Sequence, residues 1–408
     1  LARDSCSSSA PFLEGNSTKN KNKNKNKNKK QKHFFAESRS RQFKIELSAL
    51  RVETTMATYG VKYIGSKASL VPFIVKTVED SLSDARSAID VFTGTTRVAQ
   101  AFKEKGITVT TSDLSWASKA YSNTWIGNEG TNAHLAERLA ILNGLEGSAG
   151  WITQNYCDVR GAENGIVRVW QAKNGKKADA AREQIKAWLD AGEIQQWESD
   201  TLVTALILAL DKVDNTVGVQ QAYLKEWCTR SYKDIHINMP IVGAGPKGRH
   251  IEGDCLTIDY PQADFAYLDP PYSSHSYATY YHIWDSIAEW DKPEVGLKTN
   301  RRVDRISGHD SYDSTMLSGW NSKKSALNSF EKLIQRLPVK HVLISYNNES
   351  LVPIESLVKI FKKYPSCIIQ EIDYKRNIMC QIGNAAKEKT DETIFKTENK
   401  EFLFHITK

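Results

Sequence analysis

No apolar run in this 408-residue chain approaches the roughly 20 residues that a membrane-spanning helix needs, so no membrane association is expected of it. The six cysteines (Cys6, Cys157, Cys228, Cys255, Cys367 and Cys380) stand apart, without a Cys-x-x-Cys pair or metal-ligand spacing. That scatter excludes a disulfide framework and predicts a reduced, cytoplasmic protein that needs no metal. Residues 1–55 lack a basic start followed by an apolar stretch, so no secretory signal is expected among them. The three closely spaced glycines of a dinucleotide-binding turn are missing as well. A segment running from Gly60 to Lys67 comes close to a phosphate-binding loop, but its Ser66-Lys67 order is inverted, which argues against nucleoside triphosphate chemistry.

Basic charge is scarcer than the net +7 suggests. Residues 1–55 hold 13 lysines and arginines against 5 acidic residues, whereas the rest of the chain holds 42 against 43. Any nucleic-acid surface on the folded body must therefore be a local patch. Lys19 to Lys32 alternates lysine and asparagine with nothing to bury, and reads as a disordered leader, either dispensable or non-native or else a basic arm that touches DNA nonspecifically. The first methionine is Met56, and the working protein is expected to start near it.

From Ala57 the pattern becomes globular. Ser69–Leu82 has helical periodicity, and Ala88–Phe92 reads as a buried strand. Val98–Lys105 follows as a helix closed by Gly106, and Ile107–Thr111 as a second strand ending at Asp113. Strand, tight turn, helix and strand open an α/β sheet with right-handed crossovers. Helix-rich text over 177–210 and a loop-like stretch over 223–248 interrupt it. Sheet text resumes at 264–268, 339–345, 366–372 and 402–406. The expected division is a leader (1–55), a sheet domain (56–120 and 251–408) and a helical insertion (121–250).

Several short constellations carry chemistry. Asp264-Phe-Ala-Tyr-Leu stops at Asp269-Pro270-Pro271-Tyr272, which combines a carboxylate, a proline-fixed carbonyl, a rigid turn and an aromatic face. Those parts suit a grip on the amino group of a flat heterocycle. In Asp90-Val-Phe92-Thr-Gly94-Thr-Thr96, the glycine lets a ligand approach the backbone at a strand–helix turn. Asp113, at the end of the next strand, is spaced to accept from ribose hydroxyls. A nucleoside without phosphates fits this turn; an ordinary strand–helix connection is the plainer alternative. Tyr63 and Lys67, in a glycine loop, can clasp an adenosyl group or a carboxylate, or simply be a solvated loop. Asp254, after Gly253, can accept from an adenine amino group, although Gly-Asp turns are common.

Together these segments resemble the Dam-like, adenine-specific DNA methyltransferases in type, order and rough spacing from Tyr63 to about Arg376. The resemblance implies a Rossmann-like, S-adenosylmethionine-dependent methyltransferase sheet with a helical target-recognition insertion. It implies S-adenosylmethionine as methyl donor and the N(6) amino group of a flipped adenine in double-stranded DNA as acceptor. Carried over by position, Tyr63, Lys67, Phe92, Gly94, Asp113, Asp254 and Asp269 line the cofactor site. Asp269, Pro270, Pro271 and Tyr272 form the catalytic clamp. The family often has glycine where Thr96 stands, which questions the backbone geometry of that turn.

Two basic clusters are candidate DNA contacts: Arg230, Lys233, Lys247 and Arg249, and then Lys298, Arg301, Arg302 and Arg305. The expectation is a monomeric enzyme of restriction–modification or phage type in a prokaryotic or phage-infected cell, with any cognate restriction endonuclease acting separately. The competing readings are methylation of the cytosine N(4) amino group, and a DNA-binding module whose cofactor turn has degenerated.

Overall fold

A computed structural model describes residues 43–47, 56–128, 134–158, 168–220, 222–272, 276–313, 319–375 and 398–408. The chain divides into two units, residues 1–45 and 46–408. Only the end of the first is described, within the short strand Phe43–Leu47. The lysine–asparagine tract lies outside the described residues, as does Arg376.

The sheet of the second unit contains β1 (Ser87–Val91), β2 (Thr108–Asp113), β3 (Arg249–Glu252), β4 (Phe265–Leu268), β5 (His341–Asn347), β6 (Ser366–Lys375) and β7 (Glu398–Thr407). Their order is β3-β2-β1-β4-β5-β7-β6. β3, β2, β1, β4 and β5 run parallel, and β7 inserts antiparallel to both β5 and β6. Phe265 to Leu268 are all buried, and so are Val342 to Tyr346. Burial of central strands explains why they read as continuous apolar runs rather than alternating ones. The order reverses between β1 and β4, which makes the carboxyl ends of these two strands a topological switch point, where α/β sheets place their ligands. This is an open α/β sheet of Rossmann-like architecture.

Before β1, the helix α1 (Val71–Ser81) buries Val71, Phe73, Ile74, Val75 and Val78, and has Pro72 in its first turn, where a missing N–H costs nothing. α2 (Arg97–Glu104) joins β1 to β2. Between β2 and β3 come α3 (Trp116–Trp125), α4 (Leu135–Gly144), α5 (Trp151–Tyr156), α6 (Ala172–Asp190) and α7 (Gln196–Val213). α7 is buried almost all round, and starts with a capping box in which the side chains of Gln195 and Glu198 each accept from the other's backbone N–H. It packs on α3 and α6. Trp170, Leu202, Leu206 and Ile207 belong to the same buried cluster as Val109 and Phe265, so this helical stretch shares its core with the sheet.

Lys103 stitches the two together. Its ammonium is buried and donates to the Trp125 carbonyl at 2.9 Å and to the Ile126 carbonyl at 3.4 Å. Those carbonyls end α3, where a cation opposes the negative end of the helix dipole. After β4 come α8 (Tyr277–Tyr280), α9 (His282–Glu289) and α10 (Lys323–Arg336); α11 (Ile354–Phe361) follows β5.

Candidate active site

β4 drives straight through the core and ends at Leu268, just before Asp269, because Pro270 and Pro271 cannot continue a ladder. The turn is fixed from the next loop, where the Leu351 amide donates to the Tyr272 carbonyl at 2.8 Å. Asp269 therefore emerges at the switch point, opposite the turn that ends β1. That turn has an unusual backbone: Phe92, Gly94 and Thr96 all have positive φ, at 65°, 50° and 59°. At Gly94 the conformation, not the space, calls for glycine, since a Cβ there would meet only the Tyr63 ring at 3.7 Å.

Thr96 takes the left-handed conformation that glycine would adopt, and it is wholly buried. Its hydroxyl accepts from Gln100 Nε2 at 3.0 Å, and the same side-chain amide brackets Tyr59 through its N–H and C=O. The turn thus keeps its shape without the second glycine.

The Gly94 amide donates to Asp113 Oδ2 at 2.9 Å, and the Ser115 amide to Oδ1 at 3.0 Å. Each oxygen retains lone pairs for a further donor. Burial raises the Asp113 pKa, and the amides of Gly94 and Ser115 work against that rise. Asp90, at the end of β1, accepts from the Thr93 hydroxyl at 2.7 Å, and burial pushes its pKa up to about 8. Asp254 lines the same cavity, with Oδ1 accepting from the Leu256 amide at 2.9 Å in a local turn.

The loop around Tyr63 closes the cavity from the other side. Tyr63 stacks on Tyr281, with ring centroids 4.2 Å apart, and on Tyr277 at 5.6 Å. The Ile64 amide donates to the Tyr281 hydroxyl at 2.6 Å. Lys67 then reaches the clamp: its Nζ lies 2.8 Å from Asp269 Oδ1 and 3.4 Å from Glu401 Oε1. It also sits 4.4 Å from the centroid of the Tyr272 ring. Burial lowers the Lys67 pKa, but Asp269 and Glu401 outweigh it and leave the pKa raised. The Tyr272 hydroxyl bonds to Asp269 Oδ1 and lies 3.0 Å from Glu401 Oε1.

One cavity is thus lined by Tyr63, Lys67, Phe92, Gly94, Asp113, Asp254 and the Asp269–Tyr272 turn, which lie far apart in the sequence. Aromatic faces, a left-handed glycine turn and acceptor carboxylates at the ends of β1, β2 and β4 meet in this cavity at the switch point. Residues 63–344, more than half of the chain, match the family described as D12 class N6 adenine-specific DNA methyltransferase. The chain belongs to this family.

Three relatives of the methyltransferase give its context. The type II methyltransferase M.NlaIII of Neisseria lactamica is 29% identical over 326 residues, covering 78% of this chain and 92% of that protein. The modification methylase StsI of Streptococcus sanguinis is 29% identical, covering 84% of this chain and 52% of its own length. The modification methylase LlaI of Lactococcus lactis subsp. lactis is 28% identical, with 77% and 50% covered. The chain thus spans nearly all of the first relative and about half of the other two. The adenine-specific family decides against the cytosine reading, and also against a module without enzymatic function.

The basic candidates of the methyltransferase separate into two kinds. Lys233, Lys247, Arg249 and Lys298 are exposed. Arg230 is held by Asp214 at 3.0 Å, and Arg301 is half-buried. Arg302 is buried, pairs with Asp291 at 2.5 Å and Asp304 at 2.8 Å, and stacks over Trp116. Arg305 is buried over the same Trp116 ring. Arg302 and Arg305 thus differ from the exposed Lys233, Lys247, Arg249 and Lys298: their side chains are buried in this structure.

Sequence reasoning passed over three acids. Glu401, at 5% exposure, joins the clamp from β7. Asp90 stood in a quoted motif without a role. Asp285 on α9 accepts from the Ser115 hydroxyl at 2.6 Å and the Ala117 amide at 3.2 Å, which fixes the start of α3 behind Asp113. The run Tyr277 to Asp285 was the available signal for Asp285; a lone Glu before Phe-Leu-Phe carried none for Glu401. Trp284, at 3% exposure, packs against Trp170 at 5.7 Å, as its place on an aromatic helix suggests.

Proposed function

We propose that this methyltransferase uses S-adenosylmethionine as donor and modifies the N(6) amino group of an adenine turned out of double-stranded DNA. The observation that carries the reading is the meeting of the Gly94 turn, Asp113 and Asp269 at the switch point between β1 and β4. The cavity lining fits the donor: Tyr63 and Phe92 offer aromatic faces, and Asp113 offers acceptor lone pairs beside the Gly94 amide. Asp254 is the further acceptor for its adenine. S-adenosylmethionine supplies a sulfonium-bound methyl group for transfer.

The residues of the chain do the rest. The amino lone pair of adenine is delocalised into its ring and is a poor nucleophile. The Asp269 carboxylate and the Pro270 carbonyl accept the two amino hydrogens and favour a pyramidal nitrogen. Holding the reacting groups in line supplies on the order of 7–11 kcal/mol of the barrier reduction. As the nitrogen gains the methyl group it becomes positively charged, and Asp269 is placed to take one of its protons. A base inside a duplex cannot reach this turn, so it is flipped, at a cost of a few kcal/mol. It stacks on the face of Tyr272 that Lys67 does not cover. The exposed Lys233, Lys247, Arg249 and Lys298 contact DNA, and residues 121–250 act as the target-recognition insertion.

The type II relatives support a place in restriction–modification; we further propose a monomer that acts in the cytoplasm apart from any cognate endonuclease. Labelled S-adenosylmethionine and genome-sized DNA, followed by sequencing that detects modified adenines, test the reading together with the recognition site. Label on N(6)-methyladenine at one short sequence supports it. Label on cytosine, or none with folded protein, overturns it.

A further inference from the structure

The clamp contains one more acid than the proposed chemistry uses. Tyr272 has a single hydroxyl proton, yet its oxygen lies at hydrogen-bond distance from both Asp269 Oδ1 and Glu401 Oε1. It can donate to only one of them. The second contact is a hydrogen bond only if the other carboxyl brings its own proton.

The surroundings decide which one does. Asp269 Oδ1 also receives Lys67 at 2.8 Å, whereas Glu401 is 3.4 Å from the same ammonium. Asp269 keeps 20% side-chain exposure and Glu401 only 7%. Asp269 is the better-paired and better-solvated carboxyl, which makes Glu401 the one placed to bring the proton. Burial raises the Glu401 pKa, Lys67 opposes the rise, and Asp269 adds to it. The charged and titratable groups facing Glu401 are Lys67, Asp269, Tyr272, Tyr267 and Tyr277. The arrangement leaves Lys67 and Asp269 as one neutral ion pair.

The second oxygen of Asp269 completes the picture. Oδ1 is held by Lys67 and Tyr272, while Oδ2 has no hydrogen-bond partner among the described residues. We propose that Glu401 is a positioning residue for methyl transfer, donating a proton to Tyr272, which donates to Asp269 Oδ1 and leaves Oδ2 for the target amino group. This rests on the reading of Asp269 as the amino-group acceptor. Glu401 touches no reacting atom; it acts by fixing the orientation of the carboxylate that does.

Single-turnover methyl transfer, with the full chain, DNA carrying the mapped site and labelled S-adenosylmethionine, tests it. Glu401→Ala should slow transfer on the order of 10²-fold, the cost of a misplaced reacting group, with little change in DNA affinity. Glu401→Gln keeps a donor toward Tyr272 and gives up only the longer Lys67 contact, so it should recover most of the rate. Wild-type transfer should also decline as rising pH ionises Glu401, and Glu401→Gln should lack that decline. If Glu401→Gln is as slow as Glu401→Ala, or keeps the alkaline decline, the protonated-donor assignment is wrong. If both variants transfer at the wild-type rate, Glu401 positions nothing. Should Glu401→Ala fail to fold, the rate and pH profile of Glu401→Gln still decide. Asp269→Ala separates the two levels: if it retains transfer, the underlying reading of the clamp fails first.

Discussion

Lys67 and Asp269 are joined by a 2.8 Å ion pair that ties the Tyr63 loop to the end of β4. In the sequence the helical stretch between β2 and β3 separates them, and the fold brings Lys67 to one oxygen of Asp269. Replacing Lys67 by Met should leave two carboxyl groups facing each other without a cation. Breaking a buried pair from one side costs about 3–5 kcal/mol, and the partial exposure of Asp269 puts the expected loss near the lower end. Urea denaturation of Lys67→Met, Asp269→Asn and the double variant checks this. The double variant should cost less than the sum of the two single ones, because the partners touch.

Thr96 supplies a second test. A β-branched residue at positive φ is strained by roughly 1–2 kcal/mol. Thr96→Gly relieves that strain and loses a hydroxyl acceptor, but Gln100 Nε2 keeps its bond to the Tyr59 carbonyl at 2.8 Å. Its stability should stay within about 1 kcal/mol of wild type. Thr96→Val keeps the strain and loses the acceptor, and should cost about 1–2 kcal/mol. Thermal melts and calorimetric titration with S-adenosylmethionine compare the two variants. Unchanged ligand affinity in Thr96→Gly would show that threonine is not a sign of a decayed cofactor turn.

Asp90 predicts a pH dependence. Its pKa is about 8 in the fold, against an ordinary value of 3.8. Between these values the folded chain binds more protons than the unfolded chain, so stability falls as pH rises. The contribution is fully present below pH 3.8 and is lost by about pH 8. Asp90→Asn remains neutral and can still accept from Thr93. Urea midpoints measured from pH 5 to pH 9 should therefore fall less steeply for Asp90→Asn than for wild type, and equal slopes would count against the assignment.

The basic residues after α9 should divide by burial. Arg302→Ala strands Asp291 and Asp304 and should destabilise the fold by about 3 kcal/mol. Lys298→Ala should leave the melting temperature unchanged while weakening DNA binding and reducing the salt-dependence slope by about 1. Fluorescence anisotropy over a salt series, beside thermal melts, distinguishes the two.

These contrasts show what the sequence could carry. Gly94, Asp113 and Asp269 were legible because each stands at the end of a strand, where local pattern and turn chemistry coincide. Thr96 looked like a defect because hydrogen bonding from Gln100 is invisible in a turn motif. Arg302 and Arg305 resembled a solvent-facing run, and only the tertiary contacts with Trp116, Asp291 and Asp304 turn them inward. Helical periodicity marked 177–210 as helices, but it could not reveal that α7 joins the core of the sheet. Glu401 was hidden for a different reason: its neighbours are set by the register that places it opposite Asn347, and pairing across strands is not a local signal.

The place of β7 also has a consequence for how the enzyme is made. It follows every other described element in the chain, yet it lies between β5 and β6 and brings Glu401 to the clamp. A ribosome that has delivered everything through β6 has made a sheet with a missing inner strand and a Lys67–Asp269 pair that lacks its third member. The Lys67–Asp269–Glu401 cluster is therefore complete only once residues 398–407 have docked between β5 and β6.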